Sequence, residues 1–94
     1  MDKEVEDFYA RLKVELDNSN DWPAEYLFKF IVPTLDDNVE QVENAFNGLG
    51  AVIKTRKSKT AKFTSVSIDV TMDNAEQIIK KYQEVSTIKG IVSL

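Results

Sequence analysis

The chain has 94 residues, of which 43% are hydrophobic and 10% aromatic, and its formal net charge is -4 at pH 7. A chain of this length forms one domain with a core, and the periodic spacing of its apolar residues argues against general disorder. No apolar run approaches the roughly 20 residues that cross a bilayer, and the acidic N-terminus lacks the apolar centre of a signal peptide. We therefore expect a soluble, cytoplasmic protein that does not contact a membrane.

The chain contains neither cysteine nor histidine. These absences remove disulfides, thiolate chemistry, zinc–thiolate sites, the usual general base near neutral pH and the commonest transition-metal ligand. The carboxylates do not follow the glycine-centred spacing of a calcium loop, and three glycines leave no phosphate-binding loop. We therefore predict that the protein is not an enzyme and holds no cofactor or metal.

An amphipathic helix is predicted over residues 2–17, because apolar residues recur there at helical spacing. This stripe consists of Val5, Phe8, Tyr9, Leu12 and Leu16. The turn-forming sequence NSNDWP then ends the helix, since Pro23 lacks the N–H that a continuing helix needs. The chain thus divides into a helical arm, residues 1–20, and a compact domain, residues 21–94.

The compact domain opens with a predicted strand, EYLFKFIV, at residues 25–32. Both faces of this strand are largely apolar, as in the centre of a sheet. A helix follows, with Thr34 or Asp37 as its N-cap, and Gly48 and Gly50 end it. Its predicted buried stripe is Val39, Val42, Ala45, Phe46 and Leu49.

Two further strands are predicted at residues 51–58 and 62–72, and the second of them alternates strictly between apolar and polar residues. A capping-box-like DNAE at residues 73–76 begins another helix, and residues 89–94 form a last short strand. The order β-α-β-β-α-β predicts an α+β, ferredoxin-like fold. This fold is a four-stranded antiparallel sheet with its first and third strands central and both helices on one face.

One face of such a sheet carries no helices, and Leu27 and Ile31 are expected to point toward it. An exposed apolar strip needs a cover or marks an interface. The apolar stripe of the arm is expected to supply that cover. We favour a cover within one chain, and a homodimer is the alternative.

Five positive charges gather in the segment KTRKSKTAKF of this acidic chain. The cations and the aromatic residue that follows them are Lys54, Arg56, Lys57, Lys59, Lys62 and Phe63. In the predicted fold this segment forms a β-hairpin, and a positive end on an acidic body steers acidic partners. We therefore predict a regulatory or adaptor domain that contacts a protein partner through these residues. The competing interpretation is a solvated hairpin whose charges keep an edge strand from aggregating.

Nucleic acid is a weaker alternative. Related folds bind RNA through aromatic residues on the third strand of the sheet. The outward positions of that strand are Phe63, Ser65, Ser67 and Asp69, which offer one aromatic ring and an unfavourable carboxylate. This composition argues against a nucleic-acid partner.

A small-ligand sensor is the other alternative. Ferredoxin-like regulatory domains of the ACT type bind amino acids near the first strand-to-helix loop, and the corresponding residues are Thr34, Asp36 and Asp37. The loop has no glycine, and simple helix capping is the favoured explanation of its carboxylates.

The stretches WPAEYLFKF and SKTAKFTSVSIDVTM resemble the YbeD-like family of small bacterial proteins of unknown function. The resemblance covers residues 22–94 and includes the aromatic–proline pair of Trp22 and Pro23. It implies a ferredoxin-like fold similar to ACT regulatory domains, and it implies no established reaction, cofactor or catalytic residue. Many members of the family carry glycine in the turn where this chain has Thr60 and Ala61.

Overall fold

The computed structural model describes residues 3–94 of the chain. Its elements are α1 (Lys3–Ser19), β1 (Ala24–Pro33), α2 (Asn38–Ala45), β2 (Val52–Lys57), β3 (Phe63–Met72), α3 (Ala75–Val85) and β4 (Val92–Ser93). After the arm helix α1, this is the β-α-β-β-α-β order that the sequence predicts. The helices of the described residues include none long and apolar enough to cross a membrane.

The four strands form one antiparallel sheet in the order β2-β3-β1-β4, which is the strand order of a ferredoxin-like fold. The central strands β1 and β3 pair along their whole length, from Ala24 opposite Met72 to Pro33 opposite Phe63. β2 lies at one edge and pairs with β3. β4, at the other edge, has only two residues, because turns and a bend occupy the preceding residues 86–90.

The core lies between the sheet and the helices. Phe28 and Phe30 of β1 are fully buried, whereas Leu27, which points to the other face of the sheet, is 51% exposed. The ring of Phe28 lies 4.9 Å from that of Phe46, at the end of α2, and 5.1 Å from that of Tyr82 in α3. Because each buried aromatic side chain contributes roughly 1.5–3 kcal/mol, this cluster fixes both helices on one face.

Two local predictions differ from the structure by a few residues. Leu49 was expected in the buried stripe of α2 but is 37% exposed, because the helix ends at Ala45 and the chain turns at Gly48 with φ 79°. The N-cap of α3 is Asn74, whose Oδ1 accepts a 2.8 Å hydrogen bond from the Gln77 N–H. The capping box is therefore shifted by one residue from DNAE.

The arm helix packs against α3, in the helix layer of the domain. Leu16 is the buried member of its apolar stripe, whereas Val5 is 40% and Phe8 57% exposed. The Nζ of Lys13 lies 3.3 Å from the carboxylate of Glu76 at the start of α3. These contacts dock the C-terminal half of α1 beside the body.

The expectation that the arm covers the helix-free face of its own sheet is therefore wrong. Leu27 stays half exposed, because the arm finds its apolar and ionic partners along α3 instead. The indole N–H of Trp22 donates to Asp17 at 3.0 Å, which anchors the short connection between α1 and β1. Asp2, where the helix was predicted to begin, lies outside the described residues.

The turn between β2 and β3 contains a strained residue that offers a test of the hairpin geometry. Ala61 has φ 60°, and the left-handed region costs an L-residue roughly 1–2 kcal/mol relative to glycine. We expect Ala61→Gly to raise the free energy of unfolding by about 0.5–1 kcal/mol, since the flexibility of glycine in the unfolded chain offsets part of the gain. Urea unfolding measures this change.

The matched control for this prediction is Thr60→Gly, in the same loop. Thr60 does not have a positive φ, so glycine there only adds unfolded-state entropy and is expected to lower stability by about 0.5–1 kcal/mol. A loss of stability in both variants would contradict the strained turn.

Candidate functional site

The face of the sheet without helices, called here the open face, is basic and partly apolar. The register of the strands aligns side chains from β2, β3 and β1 in rows across it. Two of these rows are Arg56–Ser65–Ile31 and Lys54–Ser67–Lys29. The serine of the first row has one cationic neighbour and that of the second row has two, and Asp69 introduces a carboxylate at the neighbouring row. The open face therefore combines cations, hydroxyls and apolar surface.

The hairpin loop at residues 58–62 is held by its own hydrogen bonds. The Ser58 N–H donates to the Phe63 carbonyl at 2.8 Å, and the Ser58 Oγ accepts from the Phe63 N–H at 3.2 Å. The Ala61 N–H donates to the Ser58 carbonyl at 2.9 Å. The Lys62 carbonyl accepts from the Thr34 N–H at 2.9 Å, which ties the loop to the end of β1. The loop is thus fixed relative to the sheet.

The six residues predicted for protein binding lie on three parts of this hairpin. Their positions are the open face for Lys54, Arg56 and Phe63, the helix side of β2 for Lys57, and the loop for Lys59 and Lys62. All six are exposed. The structure therefore brings half of them together with the open face and distributes the others around the tip.

A shallow cavity of about 220 Å³ lies where the open face meets the loop, and we call it the hairpin pocket. Its lining residues are Ile31, Arg56, Lys57, Ser58, Phe63 and Ser65. A guanidinium group recognises carboxylates through paired hydrogen bonds, and serine hydroxyls can add to them. Because Ile31 and Phe63 supply apolar walls, the pocket suits an acidic side chain on a partly apolar segment.

The cations of the hairpin are separated in the chain from the acidic segment that contains α2. None of the five hairpin cations forms an ion pair within residues 3–94, where the paired cations are Lys13 and Lys81. Residues 34–50, which include α2, carry four carboxylates and no basic residue. A positive end on an otherwise acidic protein produces a local field that attracts negative groups.

The loop predicted for a small ligand uses its polar groups within the protein. The Thr34 hydroxyl lies 2.8 Å from that of Thr64 at the start of β3, and Asp37 accepts from the Gln41 side chain at 2.7 Å. Asn38, which is buried, donates to the carbonyls of Pro33 and Leu35 and closes the loop. Asp36 is exposed with φ 67°. Asp37 is the N-cap residue of α2, but its side chain forms no hydrogen bond with the helix backbone. Thr34, the other expected N-cap, does not occupy that position.

A second cavity, of about 460 Å³, lies between α1, α3 and the C-terminal strand, and we call it the arm cleft. Six of its lining residues are Phe8, Tyr9, Leu12, Tyr26, Tyr82 and Ile91. The hydroxyls of Tyr26 and Tyr82 are 2.8 Å apart at this cleft. Burial and the hydrogen bond with Tyr26 raise the pKa of Tyr82 above the ordinary tyrosine value, so its hydroxyl stays neutral at physiological pH.

Residues 17–94 match a family described as protein of unknown function, DUF493. The chain belongs to the DUF493 family. The resemblance to the YbeD-like family is thereby confirmed, since DUF493 is the YbeD family. The match begins at residue 17, so most of the arm helix lies outside the region that defines DUF493.

The solution structure of protein HP0495 from H. pylori is similar to this DUF493 protein, with a TM-score of 0.64 and 19% sequence identity. The alignment covers 81% of this chain and 86% of that chain. At this identity the likeness confirms the ferredoxin-like fold. No curated protein matches the sequence.

Two features of this DUF493 chain were missed as site residues by sequence reasoning. Lys29 extends the basic surface onto the central strand β1. Its position between the buried residues Phe28 and Phe30 could have identified it, because side chains of a strand alternate between the two faces. The Tyr26–Tyr82 pair joins residues 56 positions apart in the chain, and no local pattern predicts such a contact.

The hydroxyl pair gives a prediction for alkaline pH. The folded-state pKa of Tyr82 is raised, so its contribution to stability is fully present below the ordinary tyrosine pKa of about 10 and is lost as pH rises through the folded-state value. We expect a late step in the tyrosinate absorbance titration that Tyr82→Phe removes. Tyr9→Phe is the control and should retain that step. A wild-type titration complete near pH 10 would contradict the shielding of Tyr82.

Proposed function

We propose that this DUF493 protein is a non-enzymatic regulatory or adaptor domain that binds an acidic segment of a partner protein at its hairpin and open face. The observation that carries this proposal is the set of five hairpin cations, none of which is neutralised by a carboxylate of the described residues. The hairpin pocket lies within this set and offers Arg56 beside apolar walls.

The apolar part of the surface supplies affinity that charge alone does not. Leu27 and Phe63 are 51% and 49% exposed on the open face, and removing them from water on binding contributes roughly 25 cal/mol per Å² of apolar area. Surface cations increase the association rate and select an acidic partner, whereas exposed ion pairs add little affinity. A partner segment that carries both acidic and apolar side chains therefore fits this surface best.

A nucleic-acid partner fits less well. Proteins that bind single strands stack successive bases on several aromatic side chains. Phe63 is the aromatic residue of β3, and Asp69 on the same face repels phosphates. The hairpin cations alone would support only salt-sensitive, nonspecific binding.

The test is a charge reversal of the hairpin. A variant with Arg56, Lys57, Lys59 and Lys62 changed to Glu is used beside wild type as bait for affinity capture from the native cell lysate. We expect wild type to retain an acidic protein in stoichiometric amount and the variant to lose it by about tenfold or more, because its field repels the partner. Protein and nucleic acid are both identified in the eluates.

The control carries the same net charge as the reversed hairpin. It changes four exposed cations elsewhere, Lys3, Arg11, Lys80 and Lys89, to Glu. Retention of the partner by this control assigns binding to the hairpin. Equal recovery of the partner by all three baits favours the solvated-hairpin interpretation. If wild type recovers nucleic acid and no protein, the partner is a nucleic acid and the proposed protein partner is wrong.

Small-ligand binding is the second candidate function, and the arm cleft favours it over the loop at residues 34–37. Its volume of about 460 Å³ falls within the range of roughly 300–1,000 Å³ for ligand sites, and its aromatic lining includes the hydrogen-bonded hydroxyls of Tyr26 and Tyr82. A flat, mostly apolar molecule with one hydrogen-bonding group matches this lining.

A thermal-shift screen with aromatic metabolites tests this second candidate. A ligand at 100 times its Kd stabilises the folded protein by roughly 2.7 kcal/mol, which for a domain of this size raises the Tm by roughly 10 °C or more. We expect Ser93→Trp, at the wall of the cleft, to abolish the shift. Val92→Trp, on the opposite face of β4, should preserve it. A panel without any stabilising compound would count against the cleft as a ligand site.

A further inference from the structure

We propose that the acidic partner segment binds as an added β-strand along the free edge of β2. This inference rests on the proposed function and specifies its mode of binding. β2 is the outermost strand of the sheet at that edge, and five of its six residues are exposed. Among residues 3–94, β3 is the only element paired with β2.

The hydrogen bonds of the hairpin determine which backbone groups of β2 are free. The Ser58 N–H donates to the Phe63 carbonyl, so Ser58 and every second residue before it direct their backbone groups toward β3. The residues between them, Ile53, Thr55 and Lys57, direct their N–H and C=O groups away from the sheet. Three donors and three acceptors are thus available in the spacing of a β-ladder.

The side chains of β2 specify the chemistry of the added strand. Lys54 and Arg56 lie on the open face at alternate positions, so their nearest neighbours on a new strand are also two residues apart. Opposite charges at directly facing positions stabilise a strand pair. The expected segment therefore carries Asp or Glu at alternate positions, with residues that favour strands between them.

The same charges disfavour symmetric pairing of this edge with a second copy of the chain. Antiparallel pairing of two β2 strands about a two-fold axis through Thr55 would place Lys54 opposite Arg56 of the other copy. Like charges at facing positions are destabilising, and basic residues on edge strands prevent pairing between copies. An acidic strand would instead place a negative charge opposite Lys54 and Arg56, and these opposite charges attract.

Two synthetic peptides of identical composition serve as probes. Both are about ten residues long, at the upper end of the usual range of strand lengths, and contain equal numbers of Glu and Thr. Glu alternates with Thr in the first peptide and is gathered in one block in the second. We expect the alternating peptide to bind the wild-type protein about tenfold more tightly, and to slow amide hydrogen exchange at Ile53, Thr55 and Lys57 in NMR spectra.

A proline substitution separates strand addition from simple charge attraction. Thr55→Pro removes an N–H that points away from β3, and proline is tolerated on an edge strand when its nitrogen faces solvent. We expect this variant to keep the fold and to bind the alternating peptide about tenfold more weakly. Thr55→Val, which keeps the N–H, is the control and should bind as wild type does.

The outcomes distinguish this inference from the proposed function. Strand addition is supported if wild type prefers the alternating peptide, if this peptide protects the three amides from exchange, and if Thr55→Pro binds it more weakly. Equal binding of both peptides, binding of neither, or unchanged affinity in a folded Thr55→Pro variant overturns it. If Thr55→Pro does not fold, the amide protection in wild type decides. The proposed function fails separately, when the charge-reversed hairpin captures the same partner as wild type.

Discussion

The pairing of β1 with β3 is the constraint on which the rest of the structure depends. These two strands align over ten positions each, and every residue of one has a partner in the other. Because side chains alternate between the two faces, this register buries Phe28, Phe30 and Ile68 together on the side of the helices. A shift by one residue would place these side chains in water, so the core fixes the register.

The same register determines where the charges lie. With Phe28 and Phe30 buried, Lys29 must point to the open face, and pairing through β3 places Lys54 of β2 in the same row. The core therefore orients a surface to which it contributes no atoms. The helix layer carries the acidic residues of α2, whereas the open face and the hairpin carry cations that form no ion pair within residues 3–94. The faces of the sheet account for Lys29, Lys54 and Arg56, whereas Lys57 lies on the helix side of β2 and Lys59 and Lys62 lie in the loop.

Periodicity predicted the order of the elements and the faces of the strands, since burial imposes both patterns directly on the sequence. Contacts between distant segments could not be predicted in this way. The arm stripe showed that α1 needs a partner, but α3 and the open face both offer one, and only packing at Leu16 and the ionic contact of Lys13 with Glu76 decide between them. The composition of the hairpin was evident from the sequence. The hairpin pocket was not, because it joins Ile31 to Phe63 across two strands.

The solvated hairpin and the binding hairpin are compatible physical descriptions of the same residues. Five neighbouring like charges repel one another, and this repulsion costs folding free energy that dispersed charges would avoid. The charges lie along β2 and its loop, and basic side chains on an edge strand disfavour pairing between copies of a chain. Yet Ile53, Thr55 and Lys57 still present their backbone groups, because side-chain charge leaves the ladder geometry intact. In the binding mode proposed above, protection against aggregation and selection of an acidic partner therefore have the same physical origin, the basic side chains of this edge.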